Sequence, residues 1–430
     1  MFFFNLKNLL MLIMVFSGCC LRSVFATDFN YIGAIRYATY KNIHQEPDPV
    51  DTESSESIYM EFSVVEDTSI LNASFFASVE AINYVNDYMN DQVVNNLSID
   101  SLWRIRPEHL EWQLLDVYTQ AAIDSDLPGT PDNQQDVNAF ITGPEYYLRF
   151  DSSNTLNIDL KYMDFYFEDI DIDNSRSLAA LNYIHIINSA ITINTEYTYQ
   201  NTIFDNDRIN TNYGQQELIA GLAYDGRSTT TQFEIGAAYI LPDNSAKTTE
   251  TIYSLTTERQ VTVSSILSIE ISHQVSDVGL SLFDMAPNQP AAMNILDVNS
   301  GIYFQDMYVF GYSKQVRNGD YLVNIAYVEN NYPVVTLSNV VEMSALFGRN
   351  WDLPRGASLA LSLTYTDMEY ENMNPIRLDD IALFRAEYSY NARRNIDLNI
   401  EVITEKQTSN IEQYNFEDVR MLFSLEYSTR

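Results

Sequence analysis

The feature of this sequence that most restricts its fold is an alternation of apolar and polar residues that recurs along the chain. In 156–162, 233–239 and 396–402, every second residue is Leu, Ile, Val, Ala, Phe or Tyr, and the residues between are polar or small. A period of two is that of a β-strand whose two faces meet different environments. The chain is therefore predicted to be all-β, with an apolar face to hide from water in strand after strand.

About twenty such segments follow one another, each long enough to cross a bilayer as a tilted strand. The predicted strands lie near 29–42, 58–66, 70–84, 96–106, 110–121, 137–151, 155–168, 176–187, 190–201, 213–224, 229–241, 247–260, 264–275, 301–316, 321–329, 335–349, 357–369, 378–390, 395–404 and 416–427. The last strand ends in aromatic Tyr427, close to the chain terminus.

The connections between these strands alternate between tight and long. Tight turns are predicted at 106–109, 152–154, 225–228, 317–320, 353–356 and 392–395, and long connections at 43–57, 122–136, 201–212 and 276–300. Short turns on one rim and longer loops on the other are typical of bacterial outer-membrane barrels. A soluble sandwich that hides the same apolar face in a protein core is the alternative, and it gives no reason for this alternation.

The sequence therefore predicts a transmembrane antiparallel up-and-down β-barrel of about 20 strands, within a range of 16 to 22. Lipid would cover the apolar face and the polar face would line a lumen. Closure also removes the unpaired edges of so large a sheet. An even strand count leaves both termini on the short-turn rim, which faces the periplasm in such barrels.

The first 26 residues resemble an export signal. Lys7 supplies a sparse positive charge, 9–16 are apolar, and 24–26 end in Ala before Thr27. We expect removal of 1–26 and a single outer-membrane barrel domain over 27–430 in a Gram-negative envelope. Cys19 follows a sequence with partial likeness to a lipoprotein box, so lipidation at Cys19 is the alternative processing.

The charge of the chain excludes some partners. With 59 acidic against 24 basic residues the formal net charge is -35, which makes nucleic acid an unfavourable partner. Inward carboxylates are predicted at Asp159, Glu217, Glu234, Glu270, Asp397 and Glu401. A low-dielectric wall concentrates their field, so an open lumen is expected to prefer cations.

Residues 115–120 and 130–144 carry a family resemblance, in the runs Leu-Asp-Val-Tyr-Thr-Gln and Thr-Pro-Asp-Asn-Gln-Gln-Asp-Val-Asn-Ala-Phe-Ile-Thr-Gly-Pro. This segment resembles that of outer-membrane β-barrel proteins associated with exopolysaccharide gene clusters and exosortase/PEP-CTERM systems. The resemblance implies an outer-membrane barrel and a role near surface polysaccharide, and it carries no catalytic residues over. Gly143-Pro144 is expected to form a bulge, and 122–136 to be either a surface loop or a segment folded into the lumen.

No catalytic, cofactor or metal site is predicted, and the chain is not expected to be an enzyme. The histidines His44, His109, His185 and His273 are expected to be solvated or to face the lumen, with no nucleophile motif beside them. The acidic run 168–173 lacks the Gly and Glu of a calcium loop. It is expected to be a solvated loop.

The expected partners are outer-membrane lipid and lipopolysaccharide. Acidic loop 43–57 would reach lipopolysaccharide through loosely held divalent cations. Arginines at the opposite rim would pair with lipid phosphates; they are Arg104, Arg106, Arg227, Arg317, Arg349, Arg355, Arg393 and Arg394. Polysaccharide and periplasmic export proteins are further candidate partners.

Three functions remain open from the sequence. The first is a barrel serving exopolysaccharide or surface-polysaccharide export and envelope organisation, on the strength of the resemblance. The second is a general diffusion porin that prefers cations. The third is a structural or adhesive surface barrel whose lumen is plugged.

Overall fold

The protein forms a closed antiparallel barrel of 20 strands. A computed structural model describes residues 27–49, 52–123, 127, 130–206, 211–243, 246–277, 302–332, 339–371 and 375–429. The predicted signal segment, Cys19 included, and most of connection 276–300 lie outside the described residues.

The strands are long and follow one another with few other elements between them. They are β1 Thr27–Tyr40, β2 Glu53–Asp67, β3 Leu71–Tyr84, β4 Gln92–Arg106, β5 Leu110–Ala122, β6 Gln134–Arg149, β7 Asn154–Phe167, β8 Asn174–Asn188, β9 Ile191–Phe204, β10 Tyr213–Asp225, β11 Thr229–Pro242, β12 Thr248–Thr262, β13 Ser265–Ser276, β14 Tyr303–Val316, β15 Gly319–Asn331, β16 Val340–Leu353, β17 Ala357–Tyr370, β18 Arg377–Arg393, β19 Ile396–Ser409 and β20 Phe416–Ser428. In the part of the chain that the structure describes, short 3-10 segments lie at Pro131–Asn133, Pro354–Gly356 and Glu412–Tyr414. Within the described residues, no helix is long and apolar enough to cross a membrane.

Each strand pairs with its neighbours in the chain, and β20 pairs with β1 to close the sheet. At this closure Ile35 lies opposite Leu425 and Tyr37 lies opposite Phe423. The predicted up-and-down barrel of about 20 strands is confirmed.

The alternation of connection lengths is also confirmed. Turns after even-numbered strands are short and lie at 68–70, 107–109, 150–153, 189–190, 226–228, 263–264, 317–318, 354–356 and 394–395. Connections after odd-numbered strands are longer, from 243–247 to 277–302. The short-turn rim also holds the start of β1 and the end of β20, where the Thr429 amide donates to the Tyr31 carbonyl.

The strand positions predicted from the sequence agree with the structure, and the main differences are at strand ends. β2 starts at Glu53 rather than 58, β4 at Gln92 rather than 96, and β19 continues to Ser409 rather than 404. All these ends are on the long-loop rim. There, backbone pairing continues past the point where the apolar alternation gives way to polar residues, so the pattern underestimates strand length.

The bulge predicted at Gly143-Pro144 is wrong. β6 is continuous, and Gly143 and Pro144 lie opposite Gln113 and Trp112 of β5. On the β7 side, pairing stops after Thr142 and resumes at Glu145 in the same register. Proline cannot donate a ladder hydrogen bond, so it leaves a gap in the ladder without an inserted residue.

Apolar and polar side chains are distributed in the reverse of a soluble protein. On β20 the outward Met421, Phe423 and Leu425 are 43%, 43% and 51% exposed, while inward Asp418 is 1% exposed. The same contrast separates outward Leu160 from inward Lys161 on β7. A belt of this kind is stable only in an apolar solvent, because water would penalise so much exposed hydrocarbon.

Candidate functional site: the inner wall of the barrel

The inner wall carries the polar and charged side chains of the strands. The predicted inward carboxylates Asp159, Glu217, Glu234, Glu270, Asp397 and Glu401 all lie on faces opposite to the exposed apolar residues. The alternation of apolar and polar residues along each strand therefore predicted the inward orientation of these carboxylates correctly. Two sectors of the wall differ in how their charges are balanced.

In the sector formed by the six strands β18 to β20 and β1 to β3, inward cations and carboxylates alternate in ion pairs. We call this sector the ion-paired wall. It contains Arg36 with Glu80 at 2.8 Å, Arg420 with Asp418 at 2.6 Å and Glu405 at 2.9 Å, Arg377 with Asp379 at 2.5 Å, and Arg385 with Glu401. Paired charges contribute little net field.

The other inward cations of the described strands are paired as well. Arg104 contacts Glu111 at 3.5 Å, Arg149 contacts Glu108 at 3.1 Å, and Lys161 contacts Asp159 at 2.9 Å. Arg176 on β8 binds Asp277 through two bonds of 2.8 Å.

From β9 to β17 the wall is different, because every Lys and Arg on these strands points outward. The cations are Arg259, Lys314 and Arg349, whose outward orientation follows from the register and the exposed apolar neighbours. The inward face of the same strands carries Glu196, Glu217, Glu234, Glu270 and Glu342, which we call the acidic wall.

Neutral side chains, rather than cations, contact the carboxylates of the acidic wall. Thr198 donates to Glu196 at 3.2 Å, Gln215 to Glu217 at 2.9 Å, and Gln232 to Glu234 at 2.9 Å. Such bonds orient a carboxylate and leave its charge uncompensated. The acidic wall therefore presents negative charge to the lumen, which attracts cations. Glu196 and Glu342 were not singled out from the sequence, although the phase of their strands places them inward.

The long-loop end of the lumen is narrowed by connections that turn inward. Asp277, directly after β13, reaches Arg176 of β8, and the Tyr213 hydroxyl of β10 donates to it at 3.3 Å. Ile302, at the other end of the same connection, is buried in a cluster with Phe204, Tyr213, Ile240 and Phe304. Both described ends of connection 277–302 thus pack inside the barrel.

The connection 41–52 also turns inward. Gln45 is 5% exposed and donates to Glu405 of the ion-paired wall at 3.2 Å. The Asn42 backbone amide donates a hydrogen bond to the Asp418 carboxylate at 2.8 Å. These contacts cover the upper part of the ion-paired wall.

Connection 122–136, for which the sequence left open a surface loop or a segment folded into the lumen, is described in part. The Ile123 amide donates to the Asn133 carbonyl at 3.1 Å, which closes the connection close to the strand ends. Residues 124–126 and 128–129 lie outside the described residues. Both alternatives for 122–136 stay predictions, and the inward contacts described here come instead from Asn42 and Gln45 and from Asp277 and Ile302.

The lumen-facing alternative of the histidine prediction is wrong for two of the four residues, and the solvated alternative stays a prediction. His185 and His273 lie on outward faces, since His185 pairs with Ile193 and His273 lies opposite Tyr253. His273 binds Asp306 at 2.8 Å and stacks between Tyr253 and Phe304, each 5.7 Å away. His185 contacts Asn154 at 2.8 Å. Both lie near strand ends, where an outward polar side chain meets the interface rather than hydrocarbon.

The acidic run 168–173 is partly ordered by contacts within its loop. Asp173 accepts the Phe167 amide at 2.7 Å, and Ile172 is buried in the inward cluster around Phe165. Among the residues described here, no group of three or more His, Cys, Asp or Glu side chains is arranged to hold a metal ion.

The fold and its walls define a class, an up-and-down barrel with an apolar outer surface and a charged, partly covered lumen. No protein-family model matches the sequence, and no curated protein matches it significantly. Solved outer-membrane barrels are similar in fold. The FrpB iron transporter of Neisseria meningitidis is 8% identical, with a TM-score of 0.49, covering 93% of this chain and 81% of that chain.

Two further barrels illustrate the same degree of likeness. The siderophore receptor PiuA of Acinetobacter baumannii is 9% identical with a TM-score of 0.46, covering 95% of this chain and 82% of its own. OpdK of Pseudomonas aeruginosa, solved with vanillate, is 9% identical with a TM-score of 0.42, covering 94% and 99%. Identities and scores this low transfer no function between barrels.

Proposed function

We propose that the chain is an outer-membrane barrel whose lumen passes cations and small neutral solutes in preference to anions. The acidic wall is the observation that carries this proposal. Between β9 and β17 of the described chain the inner face holds carboxylates without cations, while the outer face presents apolar side chains suited to lipid. Barrels of this strand number are wide enough for an aqueous lumen unless loops fill it.

Outer-membrane location is supported by the outward belt and by aromatic residues near both rims. Trp103 and Trp112 lie opposite each other near the short-turn rim, and Tyr162 and Tyr365 lie nearer the long-loop rim. Aromatic girdles mark the two membrane interfaces of such barrels. On this orientation the long loops face lipopolysaccharide and the short turns face the periplasm.

Solute preference is tested by swelling of liposomes that contain the purified protein. Glucosamine, glucose and glucuronate are similar in size and differ in charge. Faster swelling with glucosamine and glucose than with glucuronate is expected. Equal rates for all three, or faster entry of glucuronate, would contradict the proposal.

Surface-polysaccharide export is the second candidate, and it is supported by the resemblance of 115–120 and 130–144. Those residues form parts of β5 and β6 and the short 3-10 segment before β6, and Val137 and Ala139 among them pack in the inward cluster around Phe165. The acidic wall disfavours a strongly acidic polymer, so a neutral or cationic polymer, or an accessory role outside the conduit, fits this candidate. Loss of surface polysaccharide in a deletion strain, with restoration by the unaltered gene, is its expected result; unchanged polysaccharide would contradict it.

A plugged structural barrel is the third candidate, favoured by the contacts of Asp277 and Gln45 inside the lumen. It predicts no conductance in planar bilayers. We assign no catalytic role to the chain under any of these candidates.

A further inference from the structure

The outward cations of β12, β14 and β16 have no carboxylate partner among the described residues. They are Arg259, Lys314 and Arg349, and all lie within a few residues of the short-turn rim. This contrasts with the inward cations, each of which has a carboxylate within ion-pair distance. In a chain with this excess of acid, unpaired cations on one outer face need another source of negative charge.

Two of these cations share one row of the sheet. Lys314 lies opposite Tyr321, and Tyr321 lies opposite Arg349, so the tyrosine ring is flanked by a cation on either side. Trp351 follows two residues after Arg349 and points to the same outer face. Lys314 is exposed, whereas Arg349 is almost covered.

The environment of Arg349 is unusual for a charged residue on an outer surface. Arg349 is 8% exposed. Its guanidinium carbon lies 3.7 Å from the centre of the Tyr321 ring and 5.0 Å from the centre of the Trp351 ring. Its Nε and Nη1 atoms are buried and have no hydrogen-bond partner in the described chain. Ring faces offset part of the charge, but unmade hydrogen bonds of a buried cation are unfavourable.

We propose that Lys314, Tyr321, Arg349 and Trp351 form a binding site for the phosphate of a glycerophospholipid headgroup. A guanidinium matches phosphate oxygens with two parallel bonds, and an ammonium adds a point charge. Tyr and Trp rings prefer the level of lipid headgroups. A phosphate ester bound at the edge of the Arg349 guanidinium would supply the missing hydrogen-bond acceptors. The Tyr321 and Trp351 rings would keep the guanidinium plane oriented toward it.

The position of the site selects lipid over free phosphate. All four side chains are on the outer wall, beside the exposed apolar Phe347 and Leu363, rather than at the lumen. A lipid headgroup reaches such a surface from the leaflet in which the barrel sits. The inference therefore rests on the proposed membrane location.

The test measures phospholipid retained by the purified protein. Phosphatidylglycerol is added to detergent-solubilised protein, and bound lipid is counted by native mass spectrometry. The unaltered chain is expected to retain one phosphatidylglycerol, Arg349→Gln to bind it at least tenfold more weakly, and Lys314→Gln severalfold more weakly. Arg349→Lys, which keeps the charge without the fork, should fall between. Lys247→Gln is the matched control, because Lys247 is an exposed cation beside the Tyr239 ring at the opposite, long-loop rim.

Two results would overturn the proposal. One is that the unaltered chain, Arg349→Gln and Lys314→Gln retain equal amounts of phosphatidylglycerol. Because Lys314 is exposed, its substitution is not expected to disturb folding, so this comparison does not depend on a folding defect at buried Arg349. The other is displacement of the lipid by glycerol phosphate at comparable concentration, which would assign the site to free phosphate. Insertion of the unaltered chain into phosphatidylcholine vesicles tests the membrane location separately, without an anionic lipid.

Discussion

Gly143 is a residue of the wall where the backbone of the next strand leaves no room for a side chain. A Cβ atom there would lie 1.9 Å from the Leu160 carbonyl oxygen of β7, whereas at Gly33 nothing lies within 4 Å. Gly143→Ala should therefore destabilise the barrel by about 1–3 kcal/mol or more, because the backbone must move. Urea unfolding followed by tryptophan fluorescence checks this, with Gly33→Ala as the control; equal stabilities for the two variants would contradict the packing described.

Asp173 lies in a connection outside the strands. Burial, together with nearby Asp205, raises the pKa of Asp173 above its ordinary value, although the bond from the Phe167 amide opposes this shift. A raised pKa means that the folded state binds the proton more tightly, so stability falls as pH rises above the ordinary value. Asn keeps the acceptor for the amide without the charge.

Asp173→Asn should consequently be more stable than the parent at neutral pH, by less than about 1 kcal/mol because the site is partly solvated. The advantage should disappear below the ordinary pKa of an aspartate, where the parent carboxyl is also neutral. Urea unfolding of both proteins across this pH range measures the difference. An advantage that is independent of pH would show that the charge is not its cause.

Leu181 and Asn182 are adjacent residues of mid-strand β8 that face opposite sides of the wall. Leu181 is exposed among apolar neighbours, whereas Asn182 lies opposite Glu196 of the acidic wall. Leu181→Arg should cost about 2–4 kcal/mol in a lipid bilayer, because the charge meets hydrocarbon. Asn182→Arg should be tolerated and can pair with Glu196. Refolding yields into vesicles compare the two variants, and similar yields would contradict the assignment of the faces.

At the scale of elements, the contact between β8 and the start of connection 277–302 fixes the long-loop end of the lumen. Arg176 and Asp277 are 2% and 6% exposed at their side chains, and they are held by two bonds. Asp277→Asn leaves a buried arginine without its counter-charge, so we expect a loss of about 3–5 kcal/mol.

The double variant Arg176→Met/Asp277→Leu should recover most of that stability, since it removes both buried charges together. Urea unfolding of the single and double variants provides the measurement. If the double variant were as unstable as Asp277→Asn, the ion pair would not be the source of the loss.

Strands and turns were the part of the fold that local sequence could predict. Alternation gave each strand and its inward face, because a period of two is set by the strand itself. It did not predict the strand ends at which backbone pairing continues beyond the alternating apolar residues, as at Glu53 and Ser409. It also missed the gap without a bulge at Gly143, which depends on how close the β7 backbone comes.

The arrangement of side chains on the inner wall was harder to predict from the sequence than the strands. The inward position of Glu217 and Glu234 follows from strand phase, but the partners of inward cations do not. Arg176 and Asp277 are 101 residues apart in the chain, and only closure of the barrel brings them together. For the same reason the sequence left open whether 122–136 enters the lumen, and it did not predict the inward contacts of Gln45 and Asp277.

At the scale of the whole molecule, closure separates the charges of half of the barrel. Within the described chain, strands β9 to β17 direct all their cations outward and the five carboxylates of the acidic wall inward, whereas the ion-paired wall neutralises its own charges. Part of the acidic excess of the chain therefore faces the lumen. The rim cations remain available to lipid phosphate.

The central claim is that this acidic wall lines an open path. The most direct measurement is the reversal potential of the purified protein in a planar bilayer under a KCl gradient. We predict a shift toward the potassium equilibrium potential, reduced in a Glu196→Gln/Glu217→Gln/Glu234→Gln variant that removes the charge and keeps the side-chain shape. A shift toward the chloride equilibrium potential, or the absence of any conductance, would contradict the account.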